Sequence, residues 1–190
     1  QDLQFDNAIY KFNWNGSLKT AQWVPNTGGG AYPVFCYDEE TQFLFDQLND
    51  EKKDLYFDEY PDREDEYGND EKRQYDRYAG FIMDEKLNQA AAHRLEAALA
   101  NGYSGDAIPG EGTLKDYLAQ ISYRKNSSCR ELYLRGREDA DDAFDKLIGK
   151  TQDKYDSNGK RKDSLDYYRR IGMAHVEKDG EQYFMVILMR

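Results

Sequence analysis

Closely spaced cysteines are missing from this chain. Its two, Cys36 and Cys129, stand far apart, which excludes the paired thiolates that zinc sites and Cys-X-X-Cys redox motifs need. They either form one disulfide or remain as buried thiols, and the sequence does not choose between these. Histidine is as scarce, with two residues, His93 and His175. No run of ~20 apolar residues exists to span a membrane. Nothing at Gln1 reads as a signal peptide, so the chain is expected to be a mature or trimmed form. Net positive charge is absent too: 26 Lys and Arg face 37 Asp and Glu, a formal charge of −11. Such a field repels nucleic acid and anionic membranes, and neither is expected as a partner.

What is present is enough chain for one soluble α/β domain with a core that needs no staples. Residues 1–36 read as an extended N-terminal attachment. Tyr10, Phe12 and Trp14 alternate with Lys11 and Asn13, Asn15-Gly16 suits a hairpin turn, and residues 25–30 form a loop. From Asp38 the period becomes helical, with Leu44, Phe45, Leu48 and Leu55 on one side. Residues 58–71 then carry eight acids and one arginine, broken by Pro61 and Gly68. They form part of an acidic, Tyr-rich insertion at about residues 56–80 that reads first as a solvated loop.

The clearest helix runs from a cap at Asp84 through Leu87, Ala91, Leu95 and Leu99 to a stop at Gly102. Thr113 and Asp116 resemble a capping box for a short helix carrying Leu114, Tyr117, Leu118 and Ile121. Cys129, Glu131 and Tyr133 then alternate with Leu132 and Leu134 as in a half-buried strand, which places Glu131 among apolar neighbours. A further helix has Ala140, Ala143, Phe144, Leu147 and Ile148 as its stripe and Gly149 as its stop. Residues 153–169 are polar and turn-rich. The chain closes with two strands, 170–176 and 182–189, joined across Asp179-Gly180.

Two weaker patterns carry little. Residues 154–166 imitate a calcium loop, but Lys154 and Leu165 occupy its first and twelfth ligand positions, which excludes it. Sequons at Asn15 and Asn126 matter only in a secreted eukaryotic protein.

The order helix, loop, Ala-rich helix, short helix, glutamate-bearing strand, helix and closing hairpin fits a three-layer α-β-α sandwich with a small antiparallel sheet. Residues 84–104, DEKLNQAAAHRLEAALANGYS, resemble the second helix of the CAP superfamily, the cysteine-rich secretory, antigen 5 and pathogenesis-related proteins, above all its bacterial SCP-like members. ETQFLFDQLNDEKKDL (40–55), CRELYLRGREDADDAFDKLIGK (129–150) and RIGMAHVEKDGEQYFMVIL (170–188) are similar, in order, to the family's opening helix, its Gly-Glu-Asn segment with the following helix, and its closing hairpin. The resemblance covers residues 37–190. It implies a secreted, extracellular or cell-surface domain whose central cleft, in the family, holds two histidines, two acids and a divalent metal.

On that resemblance Glu131 stands at the family glutamate, with Arg130 and Leu132 replacing its neighbours. Both family histidines are missing: Tyr103-Ser104-Gly105-Asp106 follows the second helix, and Thr151-Gln152-Asp153 follows the fourth. Carboxylates and amides cannot exchange protons near neutral pH as imidazole does, so no metal and no cofactor are expected. His93 reads as solvated or capping, and His175, sharing a face with Ile171 and Met173, as packed or an edge residue. Glu131 is either a structural acid held by backbone amides or an arginine, with Arg130 and Arg135 near in sequence, or a cleft acid of raised pKa. The expected function is therefore non-catalytic binding of a protein, glycan or lipid. The ligand would sit in the cleft at Glu131, Tyr133 and His175, or on the acidic Tyr-rich loop. The alternatives are a peptidase or esterase using Glu131 with His175 or Asp106, and a purely structural surface protein.

Overall fold

A computed structural model describes residues 2–5, 8–23, 36, 38–61, 79–151, 157–159 and 164–190. The loop expected at residues 25–30 lies outside these, as do residues 62–78 of the acidic stretch and residues 153–156 and 160–163 of the polar one.

Local sequence sets several helix ends. Asp38 caps α1 (Glu39–Glu59), accepting the Thr41 N–H at 2.8 Å, and α1 buries Leu44, Phe45 and Leu48. Asp84, at the end of β4 (Ile82–Asp84), caps α2 (Glu85–Asn101), which Gly102 ends at a φ of 87°. The same Asp84 carboxylate receives Arg170 at 2.7 Å and the Tyr123 hydroxyl. Burial first, then that carboxylate, pushes the Tyr123 hydroxyl up to about 12. A two-stranded ladder, β5 (Ala107–Ile108) with β6 (Gly112–Thr113), leads into α3 (Leu114–Gln120), where Thr113 and Asp116 form the capping box. After β7 (Cys129–Arg137) comes α4 (Ala140–Thr151). A 3-10 turn (Leu165–Tyr167) precedes the closing hairpin of β8 (Arg170–Lys178) and β9 (Glu181–Met189). Asp179 and Gly180 both take positive φ at its tip, the geometry of a two-residue hairpin turn.

Three local expectations need correction. Gly149 does not stop α4, which runs through it to Thr151; no positive φ is required there, so the glycine's freedom goes unused. Ile121 does not extend the buried stripe of α3. That helix ends at Gln120, and the side chain one position beyond is 36% exposed. Trp14 does not lie in a strand either. It sits fully exposed in the turn between β2 (Ala8–Phe12) and β3 (Leu18–Trp23).

With β1 (Asp2–Phe5), the N-terminal strands continue the main sheet, whose order is β1-β2-β3-β4-β8-β9-β7. The sheet is mixed and not wholly antiparallel, because β4 pairs with β8 in parallel through Ile82–Arg170 and Met83–Ile171. The fold is α+β. Its penultimate strand, β9, lies between β8 and the edge strand β7 and is buried continuously from Phe184 to Met189, which requires cover on both faces. Phe184, Val186 and Leu188 pack in one cluster with residues of α1 and α4, while Met185, Ile187 and Met189 pack in another with residues of α2 and α3. Among the described residues no helix is long and apolar enough to cross a membrane.

Beyond Ile171 the β4-facing edge of β8 loses its strand partner, and α2 takes over: Asn88 Oδ1 accepts the buried Met173 N–H at 2.9 Å. Asn88→Ala leaves that donor without its acceptor and is expected to cost about 1–3 kcal/mol in a urea titration. A loss below about 0.5 kcal/mol would mean that water replaces the amide.

Candidate functional site

The β7–β9 register sets Glu131 opposite Ile187 and Tyr133 opposite Met185, which turns both side chains toward α2 and α3. β7 is an edge strand of the sheet. Along it opens a cavity of about 470 Å³ whose lining includes Tyr103, Asp106, Lys115, Glu131, Tyr133 and Lys150. Tyr103 comes from the segment after α2, Lys115 from the first turn of α3, and Lys150 from the last turn of α4. Glu131 and Tyr133 thus share one cleft, with Asp106 on its wall.

Glu131 is held by an arginine, but by neither of its sequence neighbours. The partner is Arg94 on α2. Nε of Arg94 donates to Glu131 Oε2 and Nη2 to Oε1, each at 2.8 Å, while Nη1 donates to the Gly112 carbonyl at 3.0 Å. The Arg94 side chain is 0% exposed and that of Glu131 3%. The fork of a guanidinium matches a carboxylate with two parallel bonds. Arg130 instead donates to the Lys150 carbonyl, and Arg135 lies over the Tyr133 ring at 5.3 Å. Both are too near along β7 to reach back over a residue that faces α2, and they lack the helix that delivers Arg94.

Tyr103 completes the cluster by donating its hydroxyl to Glu131 Oε1 at 3.0 Å and packing edge-on against Tyr133 at 5.2 Å. Burial and then the Glu131 charge raise the Tyr103 pKa, so the phenol stays a donor. Burial opposes the charge on Arg94, but the hydrogen bonds and charge of Glu131 outweigh it and raise the guanidinium pKa. Every oxygen of Glu131 is therefore engaged by a fixed donor. An acid held in this way is a positioned anchor and a poor general base, since taking up a proton breaks the ion pair.

His175 is not brought to this cleft. It stands opposite Phe184 on β9 and therefore faces α1 and α4, across the sheet from Glu131. Its Nδ1 lies 3.2 Å from Asp38 Oδ2, its Nε2 meets the Gln182 side-chain oxygen, and its ring packs on Phe184. A smaller cavity of about 280 Å³ beside it is lined by Cys36, Asp38, Thr41, Asn88 and Met173 among others. Burial above all, with Asp46 and Asp38 adding and Thr41 opposing, pushes the Cys36 thiol up to about 12. A thiol so disfavoured as thiolate is a weak nucleophile near neutral pH. His93 lies on the outer side of α2, with Nε2 at 2.9 Å from Glu111 and its ring stacked on Tyr117 at 4.6 Å.

Cys36 and Cys129 are free thiols that pack against the two different core clusters, on opposite faces of the sheet. Among the described residues no group of three His, Cys, Asp or Glu is placed to hold a metal ion.

Arg94 and Tyr103 are the site residues that sequence reasoning passed over. One signal was available: Arg94 falls seven residues after Leu87 on the stripe that Ala91 and Ala98 continue, and a charged side chain on an apolar stripe needs a buried partner. Compared with family models, with curated proteins and with solved structures, the chain matches none.

Proposed function

We propose that this chain is a non-catalytic, CAP-like binding domain that works outside the cell and holds its ligand in the cleft along β7, beside Glu131, Tyr103 and Tyr133. The observation that carries the non-catalytic reading is the Arg94–Glu131–Tyr103 cluster. Both carboxylate oxygens are occupied, and neither histidine lines the cavity, so the acid at the family position is already committed and no imidazole stands beside it to carry a proton.

The binding reading draws on the cavity itself. Its volume is within the range that small ligands occupy, and it offers two tyrosines with large contact area at little entropic cost. The CAP-like arrangement is supported by the order of elements and by helices on both faces of the sheet. The extracellular location rests on the sequence resemblance alone.

Purified protein is expected to hydrolyse neither peptides nor p-nitrophenyl esters above the buffer rate. A saturable rate that survives repurification and disappears in Glu131→Gln would overturn the reading in favour of a hydrolase. A glycan or lipid ligand found by thermal shift should perturb the ring resonances of Tyr103 and Tyr133.

A further inference from the structure

The cleft runs against the charge of the molecule. Overall the chain carries 37 acids and 26 bases, yet the cavity along β7 is lined by Lys115, Arg130, Arg135 and Lys150 against two acids, Glu131 and Asp106. Of those acids, Glu131 is already neutralised by Arg94, which is fully buried behind it. Arg130 is tied to the C-terminal end of α4 through the Lys150 carbonyl. The other three cations have no ion pair with any described residue. Lys150 reaches the Tyr133 carbonyl at 3.5 Å, Arg135 lies over the Tyr133 ring, and Lys115 acts electrostatically on Cys129.

Around Lys150 the cations crowd one another. Burial first, then Lys146, Arg130, Arg135 and Arg137, lowers the Lys150 pKa. An amine under that pressure gains when an anion arrives. Cations on an exposed strand edge also discourage other strands from pairing with it. That role needs only charge pointing outward, however, and it explains neither a cavity nor the convergence of α3, β7 and α4 upon it.

We propose that the cleft is a site for a compact organic polyanion, a ligand bearing two or more phosphate or sulfate groups. Its acidic groups bind Lys115, Arg135 and Lys150, and its body lies against Tyr103 and Tyr133. This rests on the reading of the cleft as a binding site and names the class of its ligand. The remaining negative surface then serves selectivity, since it repels long nucleic acids while the local cations of the cleft admit a small anion.

The test is isothermal titration with inositol hexakisphosphate and with a sulfated disaccharide, alongside inositol and the unsulfated disaccharide, at matched ionic strength. The subjects are wild type, Arg135→Gln/Lys150→Gln, and Lys178→Gln as an exposed cation outside the cleft. The expected result is binding of at least one polyanion that falls tenfold or more in the double variant, is unchanged in Lys178→Gln, and is absent for the neutral analogues. Equal polyanion binding by the two variants overturns the inference as non-specific attraction. Binding of a neutral analogue as tight as that of its charged form also overturns it, while leaving the cleft a binding site. No binding by any probe overturns the inference and leaves the earlier reading without a ligand of either kind.

Discussion

Arg94→Met is expected to destabilise the chain by about 3–5 kcal/mol, because it removes the counter-charge from Glu131 at a position where water cannot replace it. For a chain of this size that corresponds to a fall in Tm of roughly 6–20 °C. The informative comparison is the double variant Arg94→Met/Glu131→Leu. Replacing a buried ion pair by apolar side chains of similar volume is often neutral, so the double variant should recover most of the loss, with a remainder for the Gly112 carbonyl and the Tyr103 hydroxyl that lose their partners. Urea titrations of the four members of the cycle give the coupling directly. A double variant no more stable than Arg94→Met would show that the cost lies in packing of the long side chain and not in the ion pair. The cycle also separates stability from function. If the cleft is a binding site, the double variant folds but presents a wall without the Glu131 carboxylate and with the Tyr103 hydroxyl released from it, at unchanged net charge, and its ligand affinity changes with little change in Tm.

The contrast between what was legible in the sequence and what was not follows the reach of each interaction. Caps act within four residues, so Asp38, Asp84 and the Thr113–Asp116 pair announce α1, α2 and α3 from the local pattern. The same holds for Asp179-Gly180, where two residues fix the register of β8 on β9. β4 is the opposite case. Three residues long, it owes its existence to two partners distant along the chain, antiparallel β3 and parallel β8, and no periodicity can develop over so short a run. The site divides the same way. The alternation of residues 129–134 fixes which face Glu131 takes, while its partner stands 37 residues upstream on another element. Proximity along the chain pointed to Arg130 and Arg135, yet neighbours on a strand diverge to opposite faces or slide along the edge, and only a packed helix can deliver a guanidinium from above. His175 teaches the same lesson. Its face was readable from Ile171 and Met173, but that face being the one away from Glu131 depends on which strands lie between them.

That cross-sheet geometry fixes the second large effect, at Gly172. A Cβ placed on this residue would stand 2.2 Å from the backbone carbon of Leu87 and 2.5 Å from its oxygen. The obstruction is the main chain of α2, so no rotamer change relieves it. Gly172→Ala is therefore expected to cost about 3 kcal/mol or more, at or beyond the upper end for overpacking. Gly180→Ala separates this from ordinary glycine effects. Gly180 has a φ of 78° and open space around its added Cβ, so it should cost only the ~1–2 kcal/mol of left-handed backbone. Gly172 pairs with Ile187, and Ile187 with Glu131, so the three form one row across the face that α2 covers. Lifting α2 off Gly172 lifts Arg94 away from Glu131 as well. Gly172→Ala should therefore shift the Tyr103 and Tyr133 ring resonances in the folded protein, although its substituted atom lies two strands from the cleft. A stability loss below about 1 kcal/mol, with those resonances unmoved, would show that α2 does not approach β8 as closely as described. The anchoring of Glu131 would then have to be explained without that approach.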